Sequence, residues 1–275
     1  MKIFIQSNKF QYLVAKVAKY SFERFGHSVE IMDFEQNDFL KNKINYYILR
    51  RGKKTPYYND LQSFTLLRFL APELNNYNDK ILIIDPDIFA LKNPNQIIQD
   101  HPDTKDISCV FYNDIPRSEM MLIDARKIKW KFTNLMKDLF DFKIDYIDLM
   151  NLNFDPKIKI NELDKKYNSH DIIRDDTVLL HTTNRITQPW KENLDINFQR
   201  YNVTHFQLLK ENIKKILNRN YNKEILSKKF LKHPEDNVRN VIKKLFLESI
   251  EMKYITHEEV ELEIKNKNIS EKILI

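Results

Sequence analysis

Residues 81–91, ILIIDPDIFAL, limit the fold more than any other stretch. Four consecutive apolar residues, Ile81 to Ile84, run into Asp85-Pro86-Asp87, after which Ile88, Phe89, Ala90 and Leu91 resume the apolar run. A short unbroken apolar run bounded by turn chemistry is the pattern of a strand covered on both faces. Two carboxylates therefore sit where that strand breaks. Pro86 cannot donate to a sheet ladder, so it fixes the break and leaves Asp85 and Asp87 at the sheet's edge, the usual place for a ligand in an α/β fold. Two hard oxygen donors so close repel unless a cation lies between them. Mg²⁺ or Mn²⁺ carrying a diphosphate suits them better than zinc or copper.

The chain has two glycines, Gly26 and Gly52, among 275 residues. Rossmann fingerprints and Walker A loops need several glycines for backbone to approach phosphate, so both are excluded. The single cysteine, Cys109, excludes a disulfide framework and a cysteine-based zinc site, and its apolar neighbours place it in a buried strand. A net charge of +6 is mild for this length and suits an anionic small substrate or an anionic surface as well as nucleic acid. Of these, the small substrate is expected and nucleic acid is not. Residues 1–6 are too short for a signal sequence, and no run approaches the roughly 20 apolar residues of a membrane span, so a cytoplasmic protein is expected.

Residues 2–6 read as a strand. Residues 11–25 read as a helix with Leu13, Val14, Val17, Ala18 and Phe22 on one stripe, ended by Gly26, and 29–34 as a second strand. This β-α-β opening implies a parallel sheet. Ser7, Asn8 and Lys9 follow the first strand, on the edge where Asp85 also lies, and are either a helix cap or part of a ligand loop. One strand is expected at 45–49, in a polar and broken segment. Residues 61–70 read as an α-helix closed by Pro72, with Arg68 on its apolar face between Leu61 and Phe64. A buried guanidinium needs an anion, either a structural aspartate such as Asp85 or a substrate phosphate.

Strands are expected next at 106–112 and 119–123, then a helix over 124–141, a helical turn at 146–151, and strands at 157–160 and 177–180. The last strand delivers His181. A histidine after a buried strand is either a satisfied structural residue or, here, the third ligand beside the two carboxylates.

After Trp190 the pattern turns helical. Phe206, Leu209, Ile213 and Ile216 form one stripe, and Val238, Val241, Ile242, Leu245 and Phe246 another. Residues 210–232 are strongly basic, with only Glu211 and Glu224 opposing, which is either a solvated helix face or a site for lipid or polyanion. Thr256-His257-Glu258-Glu259 fits a capping box. These features divide the chain into an α/β domain over 1–200 and a helical appendage over 201–275.

Taken together, the ordered motifs resemble the retaining nucleotide-sugar glycosyltransferases of the GT-A type. Specifically, they resemble the family-eight enzymes that include glycogenin and bacterial lipopolysaccharide galactosyl- and glucosyltransferases. Residues 3–10 look like the family's nucleobase loop, Ser63 to Phe69 like its arginine-bearing helix, and Ile83-Ile84-Asp85-Pro86-Asp87 like its aspartate-x-aspartate strand. Residues 117–124 look like its N-S-G-V-M-L-I-D strand, Leu163 to Asn168 like L-P-x-x-W-N, and His181 to Trp190 like H-Y-T-G-P-x-K-P-W. Order and spacing agree over residues 1–195.

The resemblance implies a GT-A fold, a mixed and mainly parallel sheet flanked by helices, and metal ligation by Asp85, Asp87 and His181. It also implies donor binding by Ser7, Asn8, Arg68, Pro86, Asn184, Arg185 and Gln188. Arg68 and Asp148 are the candidates for the catalytic floor, Asp148 for contacting sugar or acceptor. The implied cofactor is Mn²⁺ or Mg²⁺ and the donor a UDP-hexose. The acceptor would be a hydroxyl of a bacterial surface glycan or lipid-linked precursor. Apart from the resemblance, the basic charge of residues 210–232, if it is a lipid site, would give a peripheral contact with the anionic inner membrane face. The sequence departs from the family at Ile147, which replaces a glutamine near the sugar, at Glu119, which replaces a glycine, and in the histidine motif, where a diphosphate-contacting lysine and glycine become Gln188 and an Asn184-Arg185 pair. Arg185 could restore the lost positive charge.

Two other classes fit parts of the pattern. A non-catalytic sugar-nucleotide or glycan-binding module is suggested by Ile147 and Glu119. An Asp-x-Asp phosphohydrolase also follows a hydrophobic strand with two aspartates, but its motif stands near the N-terminus and its Gly-Asp metal loop is missing here.

Overall fold

In the computed structural model, β1 (Lys2–Ser7), α1 (Tyr12–Glu23) and β2 (Ser28–Asp33) form the expected β-α-β unit, with the two strands parallel. Gly26, at φ +81°, makes the left-handed turn after α1 that a side chain would resist. The structure describes residues 1–58, 60–102, 105–198 and 204–274.

Beyond α2 (Asp38–Lys41), the polar segment holds a hairpin rather than a single strand. β3 (Tyr47–Arg50) and β4 (Lys53–Pro56) pair antiparallel around Arg51-Gly52, both at positive φ, the two-residue turn whose twist matches the strands. Ser63–Phe69 is helical but wound as a 3₁₀ helix rather than the expected α-helix. Pro72 does not end it: the proline stands in the first turn of α3 (Ala71–Leu74), where a missing N–H costs nothing.

The chain then forms β5 (Lys80–Ile84), β6 (Ile88–Ala90), α4 (Gln96–Asp100), β7 (Ile107–Tyr112) and β8 (Ile115–Asp124). β7 and β8 make a hairpin closed by Asn113 and Asp114, both at positive φ, so β8 begins four residues earlier than its apolar pattern suggests. The helix expected over 124–141 is a single 3₁₀ turn, Ala125–Lys127, followed by α5 (Phe132–Phe140). Between them Trp130 donates its indole N–H to the Phe69 carbonyl at 2.9 Å, a tertiary contact that no helical periodicity reveals. The first unit closes with α6 (Tyr146–Met150), β9 (Ile160–Leu163), β10 (Ser169–His170) and β11 (Leu179–His181). β9 starts where the expected strand at 157–160 ends.

Six strands form a mixed sheet in the order β2-β1-β5-β8-β7-β9, with three parallel and two antiparallel pairings. β5 lies inside this sheet, and Ile81, Leu82, Ile83 and Ile84 are all fully buried. Burying each such side chain is worth about 1.5–3 kcal/mol, so the uninterrupted apolar run pins this strand at the centre. β6 leaves for a second sheet of three strands, β10-β11-β6. Asp85-Pro86-Asp87 is the corner where the chain passes from one sheet to the other.

The chain divides into two compact units, Met1–His181 and Thr182–Ile275. The boundary read from the sequence at 200/201 lies outside the described residues. The second unit is helical: α7 (His205–Ile216), α8 (Lys223–Leu226), α9 (Asp236–Glu251) and α10 (His257–Lys265), the last opened by the expected capping box at Thr256 and Glu259. The α9 stripe packs inward, with Val238, Ile242, Leu245 and Phe246 buried. The α7 stripe does not: Phe206, Leu209, Ile213 and Ile216 are all exposed. Among the described residues no helix is long and apolar enough to cross a membrane.

Candidate metal centre

Each sheet contributes a row of polar residues to the corner. In the six-stranded sheet, Ile5 stands opposite Ile84 in the parallel pair β1–β5, so Gln6 arrives beside Asp85. On the other side the backbone N–H of Asp85 donates to the Glu119 carbonyl of β8 at 2.9 Å. In the small sheet His181 stands opposite Ile88, one residue past Asp87, and His170 stands beside His181 in the parallel pair β10–β11. The result brings one donor atom each from Asp85, Asp87 and His181 within 4.8 Å of one another.

The donors are held from behind. Arg68, itself buried, donates from Nη2 to Asp85 Oδ1 at 2.7 Å and from Nη1 to Ser118 Oγ at 2.6 Å, and the Ser118 hydroxyl donates to the Met150 carbonyl at 2.7 Å. Gln6 Nε2 donates to the same Oδ1 of Asp85. Both side-chain donors thus fall on one oxygen of the carboxylate. His181 is fixed through its other nitrogen, Nδ1, which lies 2.9 Å from Asn168 Oδ1. Its Nε2 stands 3.3 Å from Asp87 Oδ1. The Asn168 amide N–H₂ faces His170 Nε2 at 3.3 Å, and the His170 ring stacks on Tyr112 with centroids 3.8 Å apart.

The electrostatics describe a corner with competing charges. Burial raises Asp85 to about 6 against the pull of the Arg68 guanidinium, with Asp87 raising it further. Burial would lower His181, but the carboxylates, Asp87 foremost, lift it to about 9. His170, by contrast, is driven down to about 3, first by burial and then by the neighbouring His181, so it is neutral and Nε2 can accept from Asn168. Glu119 adds its negative charge to Asp85 and His181, and its Oε2 is buried with no hydrogen-bond partner. Two carboxylates and one imidazole whose ring is oriented from behind form a donor set that fits a divalent cation.

Asp85, Asp87 and His181 come together, with the buried Pro86 between the two aspartates. Arg68 reaches the corner, and its partners there are Asp85 and Ser118. Ser7 and Asn8 are fully buried, and the Asn8 side chain is engaged by the Asp60 carbonyl, Ser63 Oγ and the Phe10 N–H. Asp148 lies on α6, the helix whose Met150 carbonyl Ser118 binds. Asn184, Arg185 and Gln188 belong to the second unit, where Asn184 Nδ2 donates to Glu224 Oε1 at 3.0 Å and the Arg185 guanidinium lies over the Phe198 ring. Cys109 is buried and its thiol pushed up to about 12 by that burial, an inert residue as its neighbours suggest.

From the sequence alone no role follows for Gln6, Asn168, His170 or Ser118. Gln6 was within reach, being the polar residue that ends the strand parallel to β5. The others depend on pairings that only the fold supplies.

No family model matches this sequence, and neither does any protein of curated function. Among solved structures the fold is similar to that of the galactosyltransferase LgtC in complex with donor and acceptor sugar analogues. That likeness has 11% identity and TM-score 0.46 over 69% of this chain and 89% of the other. It is similar also to the glycosyltransferase GlyE of Streptococcus pneumoniae, at 16% identity and TM-score 0.46 over 73% of this chain and 58% of the other. A third is mouse xyloside xylosyltransferase 1, at 13% identity and TM-score 0.40 over 66% and 97%. All three are glycosyltransferases. The chemistry of the corner stands on this chain's own residues.

Proposed function

We propose that this chain is a metal-dependent retaining glycosyltransferase that moves a hexose from a nucleotide sugar, UDP-linked, to a hydroxyl of a bacterial surface glycan or its lipid-linked precursor. The observation that carries the reading is the meeting of Asp85, Asp87 and His181 at the corner between the two sheets, beside the carboxyl end of β5. The ordered motifs that resemble the family-eight enzymes support it over residues 1–195. A bound Mn²⁺ or Mg²⁺ would supply positive charge to the diphosphate as it leaves the sugar.

The chain's own residues prepare that event. Asn168 holds His181 so that Nε2 points to the aspartates, while Arg68 and Gln6 fix one oxygen of Asp85. Arg68 thus serves the donor through Asp85. Asp148 is the proposed contact to sugar or acceptor. Ser7, Asn8 and Pro86, with Asn184, Arg185 and Gln188, are proposed as donor-binding residues on the sequence resemblance.

A second reading, a sugar-nucleotide-binding module without transfer, is favoured by Glu119, whose buried and unpartnered carboxylate oxygen adds negative charge where a diphosphate would approach. Incubation with Mn²⁺ and a panel of nucleotide sugars separates the readings. Release of nucleoside diphosphate, enhanced by an acceptor glycan, supports the transferase. Metal-dependent binding with no release supports the module, and free phosphate from a phosphomonoester in place of either supports a phosphohydrolase.

A further inference from the structure

A helix packed on a soluble protein turns its apolar stripe inward. α7 does the reverse. Phe206, Leu209, Ile213 and Ile216, at helical spacing on one face, are 74%, 59%, 47% and 79% exposed, while Glu211 on the opposite face is buried. Glu211 is also firmly held: Lys214 Nζ binds its Oε1 at 2.6 Å and the backbone N–H of Asn222 its Oε2 at 2.7 Å. The Lys214 bond lies within the helix, and the Asn222 bond ties the Glu211 side of α7 to the chain that follows it, so the helix is seated by its polar side. Residues 205–216 span about 18 Å at 1.5 Å per residue, so the four apolar side chains form a continuous outward ridge.

The segment that carries and follows the ridge is one-sided in charge. Residues 210–232 carry eight lysines and arginines against two glutamates. Both glutamates are occupied within the unit, Glu211 as above and Glu224 by Asn184 Nδ2 at 3.0 Å. Lys210 lies at the edge of the apolar ridge, and Lys215, Arg219, Lys228 and Lys229 are exposed.

We propose that α7 lies on the surface of an anionic bilayer, its apolar ridge entering the headgroup region and the surrounding lysines binding lipid phosphates. An apolar ridge with cationic flanks is the composition of helices that rest in the interface plane, where acyl and headgroup contacts act together. A second copy of this chain is a poorer occupant, because it would set the same lysines against one another without neutralising them. The proposal does not depend on the glycosyltransferase reading.

The test is flotation of the full chain with vesicles of phosphatidylcholine alone and of phosphatidylcholine mixed with phosphatidylglycerol. The protein is expected to float with the mixed vesicles, to stay behind with the neutral ones, and to lose binding as salt rises. Phe206→Ser with Ile216→Ser, at exposed positions that leave the fold intact by circular dichroism, should weaken binding at least tenfold. Lys210→Glu should weaken it and reduce the salt dependence. Absence of binding to the mixed vesicles, or binding unchanged by both sets of substitutions, overturns the proposal. So does a wild-type dimer in sedimentation that the serine substitutions convert to monomer, which would assign the ridge to a second copy.

Discussion

The side-chain oxygen of Asn168 lies 2.9 Å from Nδ1 of His181, both residues buried. An amide oxygen can only accept, so Nδ1 carries the proton and Nε2 is the nitrogen presented to Asp87 and to a cation. Asn168 is held in that orientation by its own N–H₂, which faces a neutral His170. Removing the acceptor by Asn168→Ala should weaken Mn²⁺ binding by about 10–100-fold, the range for partners behind a metal ligand. Asn168→Asp, which keeps an acceptor, should lose less. Calorimetric Mn²⁺ titration of the three proteins checks both.

The pair Arg68–Asp85 is buried and bonded at 2.7 Å. Arg68→Met leaves the Asp85 carboxylate without its counter-charge and should cost about 3–5 kcal/mol in urea unfolding. Adding Asp85→Asn should recover a large part of that loss, because the stranded charge is then gone. Arg68→Lys should rescue only in part, since an ammonium lacks the fixed planar fork with which the guanidinium bonds Asp85 and Ser118.

Asp145 ties the β3–β4 turn to the start of α6: its carboxylate accepts from Arg51 N at 3.0 Å, Gly52 N at 2.6 Å and Ile147 N at 2.8 Å. Burial alone would raise Asp145, but these N–H groups outweigh it and hold the carboxyl below its ordinary range. A lowered folded pKa contributes stability above the unfolded value, near about 4, that is lost as pH falls through the folded pKa. Asp145→Ala should therefore cost about 1 kcal/mol at neutral pH, as loss of a helix cap does. The gap from wild type should close in strong acid, a comparison for thermal melts across pH.

How far the sequence exposed this corner follows from which contacts are local. Asp85-Pro86-Asp87 carries its own break, and the apolar run before it places that break at the end of a central strand. Arg68 was readable as a buried cation in need of an anion, although not as one that Asp85 and Ser118 both hold. Asn168 and His170 were not readable, because their partner His181 lies more than ten residues away and meets them through two short strands with little periodicity of their own. The Ser63–Phe69 helix has an apolar pattern that fits α and 3₁₀ winding alike, and tertiary packing decided between them. On α7 the same stripe that usually predicts a core face points outward, because the buried contacts of that helix are made by Glu211.

The central claim is that Asp85, Asp87 and His181 bind a nucleotide through a divalent cation, and calorimetric titration of UDP with and without Mn²⁺ tests it most directly. Wild-type protein should bind UDP at least about tenfold more tightly with Mn²⁺ present, and Asp87→Ala should lose that gain while keeping the wild-type circular dichroism spectrum. Equal UDP affinity with and without the metal, the same in wild type and Asp87→Ala, would contradict it.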